Sequence, residues 1–326
     1  MKRLDLTVSI VSYNTKDLLR RCLESIFRYT KDIHFEVFVI DNASTDGSAA
    51  MVKKDFSQVK LIHNRTNKFY TAANNQALRL AQGRYFLILN SDIFLTGNSF
   101  LKMIKHLHSH PLVGGIEPVQ INEKTNQPVS TGSLHNTLLT DFFELTWLGR
   151  KLKNPKLLNR FRLVRKDRQK TWQAPVICDA ALMARTQILR DINGYDEKLK
   201  LYYTENDLCR RIQGLGLTTV HFAGARINHS VSASTQKQPW QTISAIYAQD
   251  AFHYFRKWHG ILSASLLFLA MKANNFLIDL AKDKWPFALI FLTAAILRLW
   301  GLPRLMPFIG DFGHDYLAAK DLLSTG

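Results

Sequence analysis

A mixed α/β fold, with a mostly parallel sheet flanked by helices, is predicted by three observations. Short runs of β-branched and large apolar residues alternate with helical-period segments through residues 6–92. Two of those runs end in polar, acidic tips, Asp41-Asn42 and Asn90-Ser91-Asp92. Strand alternating with helix is the pattern of a parallel sheet covered on both faces.

The elements follow in order. Leu6 to Ser12 is rich in β-branched residues and reads as a buried first strand. Lys16 to Tyr29 places Leu18, Leu19, Cys22, Leu23, Ile26 and Phe27 at helical spacing. Residues 35–40 form a second strand, and Ala43-Ser44-Thr45-Asp46-Gly47 is a turn that can cap the next helix. Val59 to Ile62 is a short third strand. Thr71 to Ala81 is a helix stopped by Gly83, and 85–89 is the fourth strand.

In an open α/β sheet, ligands bind at the carboxyl ends of the strands. Mg²⁺ is commonly shared between one or two carboxylates and a substrate's phosphates. Strand tips carrying Asp41 and Asp92 therefore imply a nucleotide-diphosphate site. No Gly-x-Gly-x-x-Gly follows the first strand, so the dinucleotide fingerprint is missing.

The 326 residues suffice for one large domain with an extension, or for two domains. A net charge of +17 calls for an anionic partner: nucleic acid, a phospholipid surface or a phosphorylated substrate. Cys22, Cys178 and Cys209 fit neither a disulfide framework nor a zinc site, which favours a reducing compartment. Met1-Lys2-Arg3-Leu4-Asp5 leads into the first strand without an apolar signal segment, so a cytoplasmic start is expected. Between Arg150 and Lys170, ten basic residues face the single acid Asp167, with Leu152, Leu157, Leu158, Phe161, Leu163 and Val164 interleaved. That segment is either a solvated basic face or an amphipathic element lying on anionic lipid or a lipid-linked pyrophosphate. Nucleic acid is not expected, because no recognition motif accompanies the charge.

The last quarter differs. The apolar run from Ile261 to Met271 is broken by Lys272, Asn274 and Asn275, which suits an interfacial or buried helix better than a span. Residues 236–284 are therefore expected to form an amphipathic, interfacial helical region. Residues 285–303, with Trp285 and Trp300 near their ends and Lys282 and Lys284 before them, are expected to cross the membrane from its cytoplasmic side. Residues 304–326 would form a polar tail.

Several of these motifs resemble the inverting family 2 glycosyltransferases of the GT-A fold, and most closely their bacterial rhamnosyltransferase-like members. The resemblance is carried, in order, by Thr7 to Asn14, Asp41 to Ser48, Asn64 to Asn75, Leu89-Asn90-Ser91-Asp92 and Gly194-Tyr195-Asp196-Glu197, and covers roughly residues 5–235. It implies a GT-A domain over residues 1–235, whose donor is a dTDP- or UDP-sugar, with rhamnose as the named sugar. The donor would be bound by Ser12, Asn14, Asp41, Asn42, Lys68, Asn74, Asn90, Ser91 and Asp179. Asp41 would accept from a pyrimidine or ribose, or else serve as a turn cap. Asp92, the last acid of the D-x-D signature, and His229 would hold Mn²⁺ or Mg²⁺. Asn90 departs from the signature and leaves one carboxylate, so the cation is expected to arrive with the nucleotide.

Tyr202-Tyr203-Thr204-Glu205-Asn206-Asp207-Leu208-Cys209 resembles the segment that bears the family's catalytic base. Glu205 takes the base position, with Thr204 in place of the preceding glutamate. Asp207 would orient it, bind the acceptor, or complement the helix dipole. Lys68 is read as the position where relatives carry Gly in Asn-x-Gly-Phe, adding positive charge near the diphosphate. Asp179 stands where many relatives carry Gly, and either selects a sugar hydroxyl or packs.

The acceptor implied is a glycan or a polyprenyl-linked lipid, met on the cytoplasmic face of the cell membrane in envelope polysaccharide synthesis. A processive synthase is disfavoured by the missing Q-x-x-R-W motif. A degenerate GT-A domain acting as a nucleotide- or glycan-binding membrane scaffold is the alternative. Finally, Leu297 to Pro303 followed by Phe308 to Tyr316 resembles the opening of a GT-C membrane transferase. A truncated or fused gene is the expectation there, and Asp311 and Asp315 are not counted as sites.

Overall fold

The computed structural model describes residues 4–146, 149, 152, 155–230 and 240–283. Its sheet has nine strands: β1 (Leu6–Ser12), β2 (Phe35–Asp41), β3 (Lys60–His63), β4 (Tyr85–Asn90), β5 (Ile93–Leu95), β6 (Val113–Asn122), β7 (Trp172–Gln173), β8 (Ala181–Arg185) and β9 (Thr218–His229). The order is β3-β2-β1-β4-β8-β6-β9-β5, with β7 beside β9. The first four strands are parallel, as their intervening helices α1 (Lys16–Tyr29), α2 (Ser48–Asp55) and α3 (Phe69–Leu80) require. Beyond them the pairing alternates: β6 and β9 run parallel to each other, and the remaining pairs are antiparallel. β8 enters antiparallel to β4, β6 is antiparallel to β8, and β5 and β7 are both antiparallel to β9. The sheet is therefore mixed, with parallel pairing the more extensive, as expected.

Strand β1 shows why the layers form. Leu6, Val8 and Ile10 are fully buried and belong to one core with Leu19, Cys22, Leu23 and Ile26 of α1, which recur at helical spacing. Each such side chain, fully buried, contributes about 1.5–3 kcal/mol. The alternate residues Thr7 and Ser9 point the other way, toward α3, where Ser9 Oγ donates to Asn74 Oδ1 at 2.7 Å. Small Ala73 and Ala77 bring α3 close to that face, in a second core completed by Phe86, Ile88, Leu208, Cys209 and Ile212. Gly83 is required where the chain re-enters the sheet, since a Cβ there would lie 2.3 Å from the Thr7 amide nitrogen.

Among the described residues five further helices follow α3: α4 (Ser99–Ser109), α5 (Leu138–Leu145), α6 (Pro155–Phe161), α7 (Thr186–Asp191) and α8 (Thr204–Gly214), before α9 (Trp240–Asp283) begins. Gly260, at φ 83°, interrupts the helical backbone of α9. The first compact unit runs from Met1 to Phe268, past the expected boundary at 235, and a second begins at Leu269. No helix among the described residues is long and apolar enough to cross a membrane. The expected span 285–303 and the tail 304–326 lie outside the described residues.

The basic segment is built around one buried cation. The Arg168 guanidinium donates to the carbonyls of Leu163, Lys166 and Arg162 and to Ser130 Oγ. Arg160, Arg165, Lys166 and Lys170 stay exposed, and Arg162 pairs with Glu144 of α5 at 2.8 Å.

Candidate functional site

Parallel pairing of β1 with both β2 and β4 brings Ser12, Asp41 and Asn90 to one sheet edge. Asp41 is fully buried. Its Oδ2 accepts from the Ser44 amide at 3.1 Å and faces His63 Nδ1 at 3.0 Å. Its Oδ1 is buried with no partner among the described residues. A buried acceptor without a donor costs roughly 1–3 kcal/mol, so Asp41 caps the turn with one oxygen and keeps acceptor capacity on the other. Around it, Asn14 Oδ1 accepts from the Thr45 amide at 2.8 Å, and the Asn14 amide donates to Ser44 Oγ at 3.0 Å. Asn42 is spent on the scaffold, donating to the Phe69 carbonyl and accepting from Asn64 Nδ2. Asp46 caps α2 by accepting from the Ser48 amide and hydroxyl.

The other acidic tip builds a second centre. Ser91 Oγ lies 3.0 Å from Thr15 Oγ1, which lies 3.1 Å from Ser12 Oγ, so the serines fasten this tip to the first loop. Ile93 pairs with His229 across β5 and β9, which puts His229 Nε2 3.5 Å from Asp92 Oδ1. On the far side of the ring, Nδ1 lies 2.8 Å from Gln120 Oε1. With Nδ1–H donating to the amide, Nε2 keeps the lone pair that a metal takes. Two donors at about 2.1 Å from one octahedral cation sit roughly 3 Å apart, so the spacing suits a shared ion. No third His, Cys, Asp or Glu joins them among the described residues. A cation that brings its remaining oxygens from a diphosphate and water fits this pair.

Across the edge lies the third centre. Tyr70, from α3, donates its hydroxyl toward Asn90 Oδ1 at 3.2 Å and the Asp179 carbonyl at 3.0 Å. Asp179 Oδ2 accepts from Tyr195 Oη and Thr204 Oγ1, both at 2.8 Å, and Thr204 Oγ1 is also 3.1 Å from Glu205 Oε2. Contacts thus run from Asn90, two residues before Asp92, through Tyr70 to the Asp179 carbonyl, and from the Asp179 carboxylate through Thr204 to Glu205. Burial first, then the neighbouring charge of Asp179, push the Glu205 carboxyl up to about 7. Burial also raises Asp179, against the donors from Thr204 and Tyr195.

Besides Asn42, three sequence expectations change. Asp207 is fully buried, and its oxygens are taken by Arg211 Nε at 2.7 Å, Lys257 Nζ at 2.6 Å and Trp258 Nε1 at 2.9 Å. It clamps α8 to α9 from a position closed to solvent. Asn74 is not at the edge at all: its amide joins Ser9 to the Tyr70 carbonyl beneath the sheet. Lys68 is exposed with an ordinary φ of −85°, and Phe69 next to it adopts φ 62°. The glycine-like position of the Asn-x-Gly-Phe motif is therefore Phe69, and Tyr70 takes the aromatic place.

Tyr70, Tyr195, Gln120 and Asp250 escaped sequence reasoning. Only the Gly194-Tyr195 motif carried a signal: Gly194 has φ 63°, and a Cβ on it would meet Asn75 Oδ1 at 2.3 Å. Asp250 accepts from the amides of Lys200, Leu201 and Tyr202 at 2.8–3.0 Å, which pins the turn before Glu205.

A parallel half-sheet open at its nucleotide edge, closed by antiparallel strands that bring a carboxylate and an imidazole together, defines a GT-A-like glycosyltransferase domain. The glycosyl transferase family 2 domain matches residues 7–192, more than half of the chain, and the chain belongs to that family. It is 29% identical over 102 residues to a poly(ribitol-phosphate) β-glucosyltransferase of Bacillus spizizenii, a match over 30% of this chain. It is 26% identical over 234 residues to the O-antigen biosynthesis protein RfbC of Myxococcus xanthus, over 67% of this chain. Each match spans only 16% of the relative's own length. Among solved structures, a mannosyltransferase from Pyrobaculum calidifontis in complex with GDP-Man and Mn²⁺ is similar over 95% of this chain and 84% of its own, at TM-score 0.53 and 19% identity. GalNAc-T7 with UDP, GalNAc and Mn²⁺ is similar over 84% of this chain and 55% of its own, at TM-score 0.57 and 14% identity. At these identities the likeness is one of fold.

Proposed function

We propose that this chain is an inverting glycosyltransferase that moves a sugar from a dTDP- or UDP-sugar, with rhamnose the first candidate, to a glycan or polyprenyl-linked acceptor in envelope polysaccharide synthesis. The observation that carries the reading is the meeting of Asp92 with His229 beside the strand tip whose Asn90 contacts Tyr70, the side chain that also reaches the Asp179 carbonyl next to Glu205. Asp41 Oδ1 accepts from the donor's base or ribose. Mn²⁺ or Mg²⁺, held by Asp92 and His229 together with the diphosphate, would supply charge neutralisation for the leaving group. Glu205 takes the acceptor's hydroxyl proton as that oxygen bonds the anomeric carbon from the face opposite the diphosphate. The C1–O bond to phosphate breaks, and its electron pair leaves with the nucleoside diphosphate. A carboxyl brought to about 7 is well matched to that role near neutral pH.

An anionic membrane surface at the cytoplasmic face is the proposed setting. Support comes from the basic α6 region with exposed Val164 and from Ile261, Leu262 and Leu266, at least half exposed on α9. The test is a screen of nucleotide-sugars with Mn²⁺ or Mg²⁺, reading released nucleoside diphosphate against membrane lipid extract. E205Q should abolish release while D207N, if folded, keeps it. Thermal shifts with UDP or dTDP but no turnover from any donor would favour the non-catalytic scaffold.

A further inference from the structure

Asp179 and Glu205 are two carboxylates that meet through one hydroxyl. Thr204 Oγ1 carries a single hydrogen yet lies 2.8 Å from Asp179 Oδ2 and 3.1 Å from Glu205 Oε2. It serves one of them at a time. Tyr195 Oη, at 2.8 Å from the same oxygen, favours the ionised form of Asp179, and the Thr204 hydrogen goes to that charge over the shorter of its two contacts. Thr204 Oγ1 then faces Glu205 with a lone pair. An ionised Glu205 gains nothing from that lone pair, whereas a protonated Glu205 donates a hydrogen bond to it.

We propose, resting on the reading of Glu205 as the base, that Asp179 is a positioning residue whose charge, delivered across the Thr204 hydroxyl, makes Glu205 avid for the acceptor's proton. The repulsion from the Asp179 charge is relieved as the proton moves onto Glu205, so it favours the transferred state over the starting one, the kind of difference that accelerates a step. Once the acceptor oxygen has left it, the Glu205 O–H can turn to Thr204 Oγ1 and hold the acid form. In balance, the acceptor O–H bond breaks, an O–H bond forms on Glu205 Oε2, and the electron pair of the broken bond enters the new C–O bond. Nothing is oxidised or reduced.

The surroundings leave Asp179 as the main charge acting on Glu205. Tyr70 from α3, Tyr195 from the turn before α8 and Tyr247 from α9 face the pair, as do Cys178 and Cys209; burial raises all five, so they stay neutral. Glu117 of β6 stands behind Cys178, whose amide it accepts at 2.7 Å. Asp207, two residues along α8, is compensated by Arg211 and Lys257. No lysine or arginine pairs with Asp179 or Glu205 among the described residues.

The test is a carbon-13 NMR titration of glutamate-labelled full chain, with the Glu205 resonance identified by its loss in E205Q. In D179N the Glu205 midpoint should fall by about one pH unit or more, the usual reach of a like charge at this range, while T204S keeps the wild-type value. If D179N fails to fold, D179S carries the same expectation. An unchanged or raised midpoint in the folded variant overturns the proposal. So does loss of the thermal shift given by UDP or dTDP with Mn²⁺, because Asp179 would then be a donor-binding group. Persistent turnover in E205Q alongside the shifted midpoint would instead sink the assignment of the base and leave the carboxylate pair intact.

Discussion

Replacing Asp207 by asparagine separates scaffold from chemistry. The side chain keeps its shape, and its carbonyl oxygen can still accept from Trp258 Nε1, but both ion pairs lose their anion. Stripping one partner from a buried pair costs about 3–5 kcal/mol. Arg211 and Lys257 are 17% and 30% exposed, so water relieves part of the stranded charge and the lower end, about 3 kcal/mol, applies. For a unit of this size each kcal/mol moves the melting midpoint by about 2–4 °C, which predicts a fall of roughly 6–12 °C. Tryptophan fluorescence during thermal unfolding reads it, with Trp258 as a direct reporter. Turnover measured well below the midpoint should drop by less than about tenfold. A D207N protein that melts like wild type but loses turnover a thousandfold would refute the reasoning and make Asp207 a catalytic residue.

Two other outcomes follow from the same geometry. Gln120→Leu removes the acceptor that holds the His229 tautomer, and Mn²⁺ affinity in the presence of UDP, read by calorimetry, should fall about 10–100-fold. Burial raises Asp141 from 3.8 to about 6, so the folded protein binds a proton there that the unfolded chain releases. Stability therefore falls as pH rises from about 4 to 6, by roughly 3 kcal/mol for a two-unit shift. Urea unfolding of wild type against D141N should show that slope in the former and a flatter profile in the latter; parallel profiles would contradict it.

What was legible in the sequence is what is local. Strand tips declare themselves because a buried apolar run that stops at Asp41 or at Asn90-Ser91-Asp92 has nowhere to put a carboxylate except the sheet edge. The antiparallel half of the sheet was illegible from periodicity, since the direction of β8 depends on a long connection through β6 and α6 rather than on its own residues. His229 could be placed beside Asp92 only through a family resemblance, because 136 positions separate Ile93 from its β9 partner. Lys68 was misplaced by one residue because a positive φ is a backbone property. Phe69 does not advertise it as glycine would. Asn74 read as a ligand because a buried amide and an exposed one look alike in a motif. Asp207 could not be weighed against Glu205 without Lys257 and Trp258, fifty residues along the chain.

That last separation says how the base segment is held. The family match ends at residue 192, before Glu205, and the turn that presents Glu205 is costly on its own terms. Tyr203 sits at the start of α8 with φ 58°, and no side chain caps the helix there. A non-glycine residue in that region costs of order 1–3 kcal/mol and persists only when its surroundings over-determine it. The surroundings come from α9 and α5. Asp250 takes three successive amides, Tyr254 stacks on the Tyr203 ring at 4.9 Å, and Asp141 and Tyr247 hold the Tyr203 hydroxyl. Three residues after Tyr254, Lys257 joins Asp207 to Asp196. The helix that follows the sheet domain is thus part of the site's support. Removing residues from 240 onward should leave the β1–β4 edge folded but release Thr204 and Glu205 from Asp179, so the boundary of the working unit falls after α9 has packed rather than at the end of β9.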